Sequence, residues 1–131
     1  MVVISDPIGD MLTRIRNGYL AGRKSISAPY SKAKEAVLKV LKDKEIIIDF
    51  KIDKLSEFKT EIIINLHKDR LRVLEIKRVS KPGRRVYSSF KHFVTVKGDK
   101  GILLVSTSQG VMDSVKAKKL KIGGEVIAEI F

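Results

Sequence analysis

The 131-residue sequence predicts an α+β fold in two packed lobes: an N-terminal α/β lobe over residues 1–70 and a mainly β C-terminal lobe with a short helix over residues 71–131. Three observations carry that expectation. Two early segments repeat apolar residues with helical period, whereas later apolar runs are short, β-branched and bounded by polar or glycine-containing stretches. No Pro/Gly/Ser-rich linker interrupts the chain, so the lobes are expected to adjoin directly. The charge is also uneven. Residues 1–70 hold 14 basic and 10 acidic side chains, and residues 71–131 hold 13 and 5.

In the first lobe Ser5 or Asp6 can cap a helix with Pro7 at its first position, where a missing N–H costs nothing. Ile8, Met11, Leu12, Ile15 and Tyr19 form its apolar stripe, and Gly18 and Gly22 offer a stop. Arg14, Arg16 and Asn17 are compatible with a solvated face or with nucleic-acid contact. An extended piece, 25–28, precedes Pro29. Ser31 is positioned to cap a second helix over 32–44, with Ala33, Ala36, Val37, Val40 and Leu41 buried and Lys32, Lys34, Lys39 and Lys42 projecting away. The β-branched runs 46–52 and 61–66 read as strands, and 53–60 as the loop between them. Residues 71–79 read as a further extended segment.

The second lobe opens on the most basic window. Residues 72–100 contain nine Lys or Arg and two acidic residues. Within it Pro82-Gly83 signals a turn, followed by Arg84, Arg85 and Tyr87. Guanidinium groups beside an aromatic ring suit phosphate pairing with base or ribose stacking, although Tyr87 also fits a strand core. Phe90, Phe93 and Val96 fit a core. The stretch 101–131 then reads as strand, hydroxyl-rich loop (Ser106, Thr107, Ser108, Gln109), a sharp bend at Gly110, a short helix, a Gly123-Gly124 turn and a final strand. Val115, Leu120 and Ile122 supply its apolar contacts. In the last strand Val126, Ala128 and Ile130 are placed on one face and Glu125, Ile127, Glu129 and Phe131 on the other.

Composition excludes several function classes. There is no cysteine, hence no disulfide and no thiolate metal site, which is compatible with the cytosol. No apolar run approaches the ~18 residues of a membrane span, and the N-terminus is not read as a secretory signal. The two histidines lack a partner at metal-ligand spacing, and each is expected at or near the surface. Ser31-Lys-Ala-Lys34 and Ser88-Ser-Phe-Lys91 match Ser-x-x-Lys, but such matches arise by chance in a lysine-rich chain, and the companion motifs are absent. No phosphate-binding glycine loop occurs. The expectation is a protein without catalytic activity, cofactor, metal or membrane partner. The net charge of +12 points to a polyanion instead.

Several motifs resemble the small-subunit ribosomal protein S-8 family, bacterial type. Asp6-Pro-Ile-Gly-Asp-Met-Leu-Thr-Arg-Ile-Arg-Asn17 is similar to the family's opening Asp-Pro-Ile-Ala-Asp-Met-Leu-Thr-Arg-Ile-Arg-Asn. Pro29-Tyr-Ser-Lys32 falls where its second helix begins, and Val79-Ser-Lys-Pro-Gly-Arg-Arg-Val-Tyr87 matches its Ser-Lys/Arg-Pro-Gly-x-Arg-x-Tyr. Residues 102–112 match its Ser-Thr-Ser-x-Gly-Val-Met signature, and Gly123-Gly-Glu-Val126 its closing strand. The sequence departs from the family at Asp43-Lys-Glu-Ile46, where a glycine is usual, at 98–101 before the signature, and at Phe131, where a tryptophan is usual.

The resemblance implies a structural constituent of the small ribosomal subunit, in the cytoplasm or an organelle. It implies a primary binder of a central-domain helix of small-subunit rRNA that aids assembly beside neighbouring ribosomal proteins. Ser106, Thr107 and Ser108, with Gln109 and Gly110 in the same loop, are implied to contact RNA; Tyr87, Gly124 and Glu125 line the same site. Lys32 contacts backbone from the first lobe, and Arg84 and Lys116 neutralise phosphates. Glu125, a carboxylate in a basic lobe, either accepts a base amino group or makes a structural hydrogen bond or ion pair. Two alternatives stand beside this reading: a translational repressor that binds its own operon mRNA, and a basic DNA-binding protein.

Overall fold

A computed structural model describes residues 7–67, 75–94 and 101–131. Among these residues the fold is α+β, with three α-helices and two antiparallel sheets. The chain divides into two compact units, 7–74 and 75–131 with 1–6.

The first unit runs α1 (Pro7–Leu20), β1 (Ser25–Pro29), α2 (Lys32–Asp43), β2 (Asp49–Ser56) and β3 (Lys59–Asn65), the expected order. Its sheet order is β1-β3-β2. Met11, Leu12, Ile15 and Tyr19 of α1 are buried, as are Val37, Leu38 and Leu41 of α2 and Ile62 and Ile64 of β3. The Tyr19 hydroxyl donates to the Ile46 carbonyl and accepts from the His67 N–H at 3.2 Å, which ties the end of α1 to the turn after α2 and the end of β3. Gly22 supplies the left-handed stop at φ 71°. Gly18 instead stays helical and buried, where a β-carbon would stand 2.8 Å from Ile26 and Leu66.

Ser31 caps α2 as expected, its hydroxyl accepting from the Lys34 N–H. The buried stripe differs. Lys34 does not project away; it is 3% exposed, and its ammonium donates to the Pro29 carbonyl at 2.9 Å. Ala33 is exposed and Leu38 is buried in its place. Burial pulls the Lys34 pKa below the usual lysine value; nearby Asp10 pulls it up and Arg14 pushes it down. The turn that lacks the family's glycine puts Glu45 at φ 61°, so a residue with a β-carbon occupies the left-handed position.

The run 46–52 is not all strand. Ile46 and Ile47 are buried in the turn before β2, because burial rather than pairing accounts for their β-branched character. The expected loop 53–60 is also wrong. β2 continues to Ser56, a bulge lies between Lys54 and Ser56, and Glu57 and Phe58 alone form the turn. Alternating charges had disguised an exposed edge strand as a loop.

The second unit runs β4 (Ile76–Arg78), β5 (Tyr87–Ser88), a 3-10 turn (Phe90–His92), β6 (Ile102–Thr107), β7 (Gly110–Asp113), α3 (Ser114–Leu120) and β8 (Gly124–Ile130). The extended segment expected over 71–79 is strand at 76–78, and 71–74 lie outside the described residues. Val96 and the departure at 98–100 lie outside them too, as do Ser5 and Asp6. Sheet order is β4-β8-β6-β7, with β5 also pairing β8. Phe93, Leu103, Val105, Met112, Ala117 and Val126 form its core, against which Phe90, Ile122 and Phe131 pack.

Three local readings change here. β7 is a strand where a loop leading straight into a helix was expected. Its residues pair with β6 through Leu104–Asp113 and Ser106–Val111. Ala117 is the buried residue of α3, while Val115 and Leu120 are exposed. In β8 a bulge skips Ile127, so Leu104 opposes Ala128 and Val105 opposes Val126. Strict alternation fails there, and Val126, Ile127 and Ala128 are all buried.

Candidate nucleic-acid interface

Strand register assembles the site. Tyr87 of β5 pairs with Glu125 of β8, Glu125 with Ser106 of β6, and Ser106 with Val111 of β7. Directly opposed residues in antiparallel strands project from the same face, with β-carbons ~5 Å apart. Tyr87, Glu125, Ser106 and Val111 therefore form one row across four strands. It lies on the face opposite the core residues Val105, Met112 and Val126. Tyr87 is 71% exposed, so its ring faces solvent and not the core.

Gly124 permits this closeness. A β-carbon there would lie 2.1 Å from the Ser106 carbonyl oxygen. One at Gly123 would lie 2.5 Å from the Ser88 carbonyl oxygen. Neither glycine has a positive φ, so the pair is not the turn that its sequence suggests. The turn is made by Lys121, which ends α3 in the left-handed conformation. The two glycines instead let the start of β8 press between the hydroxyl-bearing segments 88–89 and 106–107.

The hydroxyls of the loop divide their work. Thr107 Oγ1 donates to the Gly110 carbonyl at 2.7 Å and accepts from the Gln109 N–H at 3.1 Å. It shapes the turn, helped by Gly110 at φ 113°. The side chains of Ser106, half-buried, and Ser108, exposed, make no hydrogen bond among the described residues.

Exposed basic side chains stand on the turn before β5 and on α3. Val79 and Ser80 both donate their N–H groups to the Ile127 carbonyl, and Lys81 and Arg84 exchange backbone hydrogen bonds at 3.0 and 2.9 Å. Gly83 takes the positive φ, 83°, that a Pro-Gly turn of type II requires. The chain returns to pair with β8 through the Val126 N–H and the Val86 carbonyl. Lys81 and Arg84 are exposed, and so are Lys116, Lys118, Lys119 and Lys121 on and after α3. Asp113 caps that helix by accepting from the Lys116 N–H.

Glu125 is engaged within the protein. Its Oε2 accepts from the Ser80 hydroxyl and from Arg85 Nη1, the latter at 3.2 Å. Ser80 is fully buried and was not anticipated. The available signal was a carboxylate in a basic lobe, within a segment that the family resemblance implies to face RNA, which needs a donor.

In the first unit Lys32 is exposed at the start of α2. Arg14 bonds Asp10 at 2.9 Å and the Ser27 carbonyl at 3.1 Å. Arg14, Asn17, Arg23 and Ser27 line a groove of about 370 Å³. Tyr30 donates to Glu35 at 3.0 Å, and this bond raises the phenol pKa. His67 is half-buried and His92 exposed. No cluster of metal-ligating side chains occurs among the described residues, and no described helix is long and apolar enough to cross a membrane.

Comparison with known proteins agrees with the motifs. The model of the family described as Ribosomal protein S8 matches residues 6–131. The chain is 45% identical over 129 residues to the small ribosomal subunit protein uS8 of Hyphomonas neptunium, covering 98% of each. It is 43% identical over 130 residues to that of Pseudomonas paraeruginosa, again covering 98% of each. With that of Buchnera aphidicola it shares 40% over 127 residues, 97% of this chain and 98% of the relative. An end-to-end match of this kind makes the chain a member of the ribosomal protein S8 family.

Proposed function

We propose that the protein is a structural constituent of the small ribosomal subunit that binds small-subunit rRNA through its C-terminal part. The row of Tyr87, Glu125 and Ser106, in a unit that also exposes Arg84 and Lys116, is the observation that carries this reading. An aromatic face, a hydroxyl and a carboxylate can meet a base, a ribose 2′-OH and an exocyclic amine. The exposed cations of the same unit can neutralise phosphate. The major groove of regular A-form RNA is too deep and narrow for side chains, so such a row suits a distorted or bulged segment, here a helix of the central domain.

Residues 71–131 are the RNA-binding lobe in this reading, with Ser106, Ser108 and Gln109 at its tip and Thr107 and Gly110 holding the tip's shape. Lys32, in residues 1–70, adds a backbone contact. Neighbouring small-subunit proteins are the remaining partners, and the relatives' common name supports the ribosomal setting.

The test is titration against small-subunit rRNA and duplex DNA at several salt concentrations. A preference for the rRNA that survives added salt is expected, because hydrogen bonding and stacking lose less to salt than phosphate pairing does. Equal affinity for duplex DNA would sink the reading.

A further inference from the structure

The buried hydroxyl of Ser80 stands at the junction of three elements and bonds to two of them. It lies at the end of the β4 extension, its oxygen accepts from the Val86 N–H at 3.3 Å beyond the basic turn, and its proton goes to Glu125 Oε2 in β8. Ser80 is 0% exposed, so water cannot substitute for either partner. Arg85 reaches the same carboxylate oxygen from the outside, at 3.2 Å, and its side chain is about half exposed.

We propose that Ser80 is the positioning residue of the RNA-reading row. Its hydroxyl orients the Glu125 carboxylate between Tyr87 and Ser106, and through Val86 it anchors the return of the Lys81–Arg84 turn. The inference rests on the RNA-binding reading given above. The reasoning is electrostatic. Glu125 sits in a strongly basic lobe, where a free carboxylate would turn toward whichever guanidinium gave the closest pair. It would then cancel a cation needed for phosphate and leave the row without its acceptor. A buried neutral donor limits this, because it fixes Oε2 without adding charge, so that the carboxylate pairs with Arg85 and does not swing toward Arg84 or Lys81. Sequence-selective contact then depends on Ser80 although Ser80 itself touches no RNA. Phosphate pairing by Arg84 and Lys116 does not depend on it, because the Lys81–Arg84 turn is closed by its own two backbone hydrogen bonds and Lys116 lies on α3.

Binding of wild type, Ser80→Ala, Glu125→Ala and the double variant to a small-subunit rRNA transcript, and to a regular RNA duplex of unrelated sequence, tests this. Each protein is first checked for native circular dichroism. Ser80→Cys keeps the volume while weakening both hydrogen bonds, and it replaces the alanine variant if that one does not fold. Ser80→Ala is expected to lower the ratio of rRNA to duplex affinity by about tenfold, the scale of losing a hydrogen bond to a charged group. It should leave the salt slope unchanged, and it should cause no further loss of that ratio in the Glu125→Ala background. An unchanged ratio in a folded Ser80 variant overturns the inference, as do losses that multiply in the double variant. A wild-type protein with no preference for the rRNA overturns the functional reading itself, and this inference with it.

Discussion

Gly124 lies diagonally across from Ser106, between β8 and β6, so closely that a β-carbon on the glycine would lie 2.1 Å from the serine's carbonyl oxygen and 2.9 Å from its carbonyl carbon. Both atoms are backbone, so no rotamer change can relieve the clash. Gly124→Ala is therefore expected to destabilise the protein by about 1–3 kcal/mol, as overpacking does in a filled site. Urea denaturation would measure it. RNA affinity should fall along with stability, because the strand ends that hold Glu125 and Ser106 must separate.

Beside the backbone pairing of Thr107 with Gly110, the Thr107 side chain makes two hydrogen bonds within the 107–110 turn. Thr107→Val keeps the β-branched shape and removes both, and should cost about 1–2 kcal/mol in thermal or chemical denaturation. Thr107→Ser, which retains the hydroxyl, should recover most of that loss. A serine variant as unstable as the valine one would exclude the turn role.

Lys116 and Ser106 should respond differently to salt. Lys116→Ala should weaken rRNA binding modestly and reduce the slope of log affinity against log salt by about 1, as the loss of one phosphate contact does. Ser106→Ala should weaken binding with the slope nearly unchanged. Identical slopes for Lys116→Ala and wild type would remove that lysine from the phosphate contacts.

Glu45 holds φ 61° at the end of α2, a conformation in which a β-carbon is strained. Glu45→Gly should stabilise the protein by up to about 1 kcal/mol, since the relief exceeds the extra entropy of glycine in the unfolded chain. The denaturation midpoint of the variant would decide the sign.

Lys34 has a folded-state pKa below its unfolded value, with burial the first cause. Below the folded value both states carry the proton and the burial cost is fully present. As pH rises from the folded pKa toward 10.5, the folded state releases its proton first and stability increases. Lys34→Met, which cannot titrate, should flatten that rise in the alkaline limb, measured by thermal scanning at successive pH values.

Much of the fold was legible because local chemistry already pointed to it. Ser31 as a cap, the α1 stripe from Met11 to Tyr19, and the order of helices and strands in the first lobe all follow from short-range pattern. The errors share a cause. Ile46 and Ile47 look like strand because burial in a turn selects the same residues as pairing does. The edge strand β2 looks like a loop because its side chains are solvated. Lys34 looks exposed because its type normally is, and the carbonyl that receives its ammonium lies outside the helical pattern.

By itself the sequence determined the α+β class, the concentration of positive charge after residue 71, and the hydroxyl and glycine segments that mark the family. These are properties of composition and of neighbours in the chain. Only the tertiary structure decided that Tyr87, Glu125 and Ser106 form one row, that Gly123 and Gly124 serve close strand approach, and that Ser80 holds Glu125. The reason is register. Residues 80, 87, 106 and 125 are distant in sequence, and a bulge at Ile127 shifts the pairing in a way that no local periodicity records.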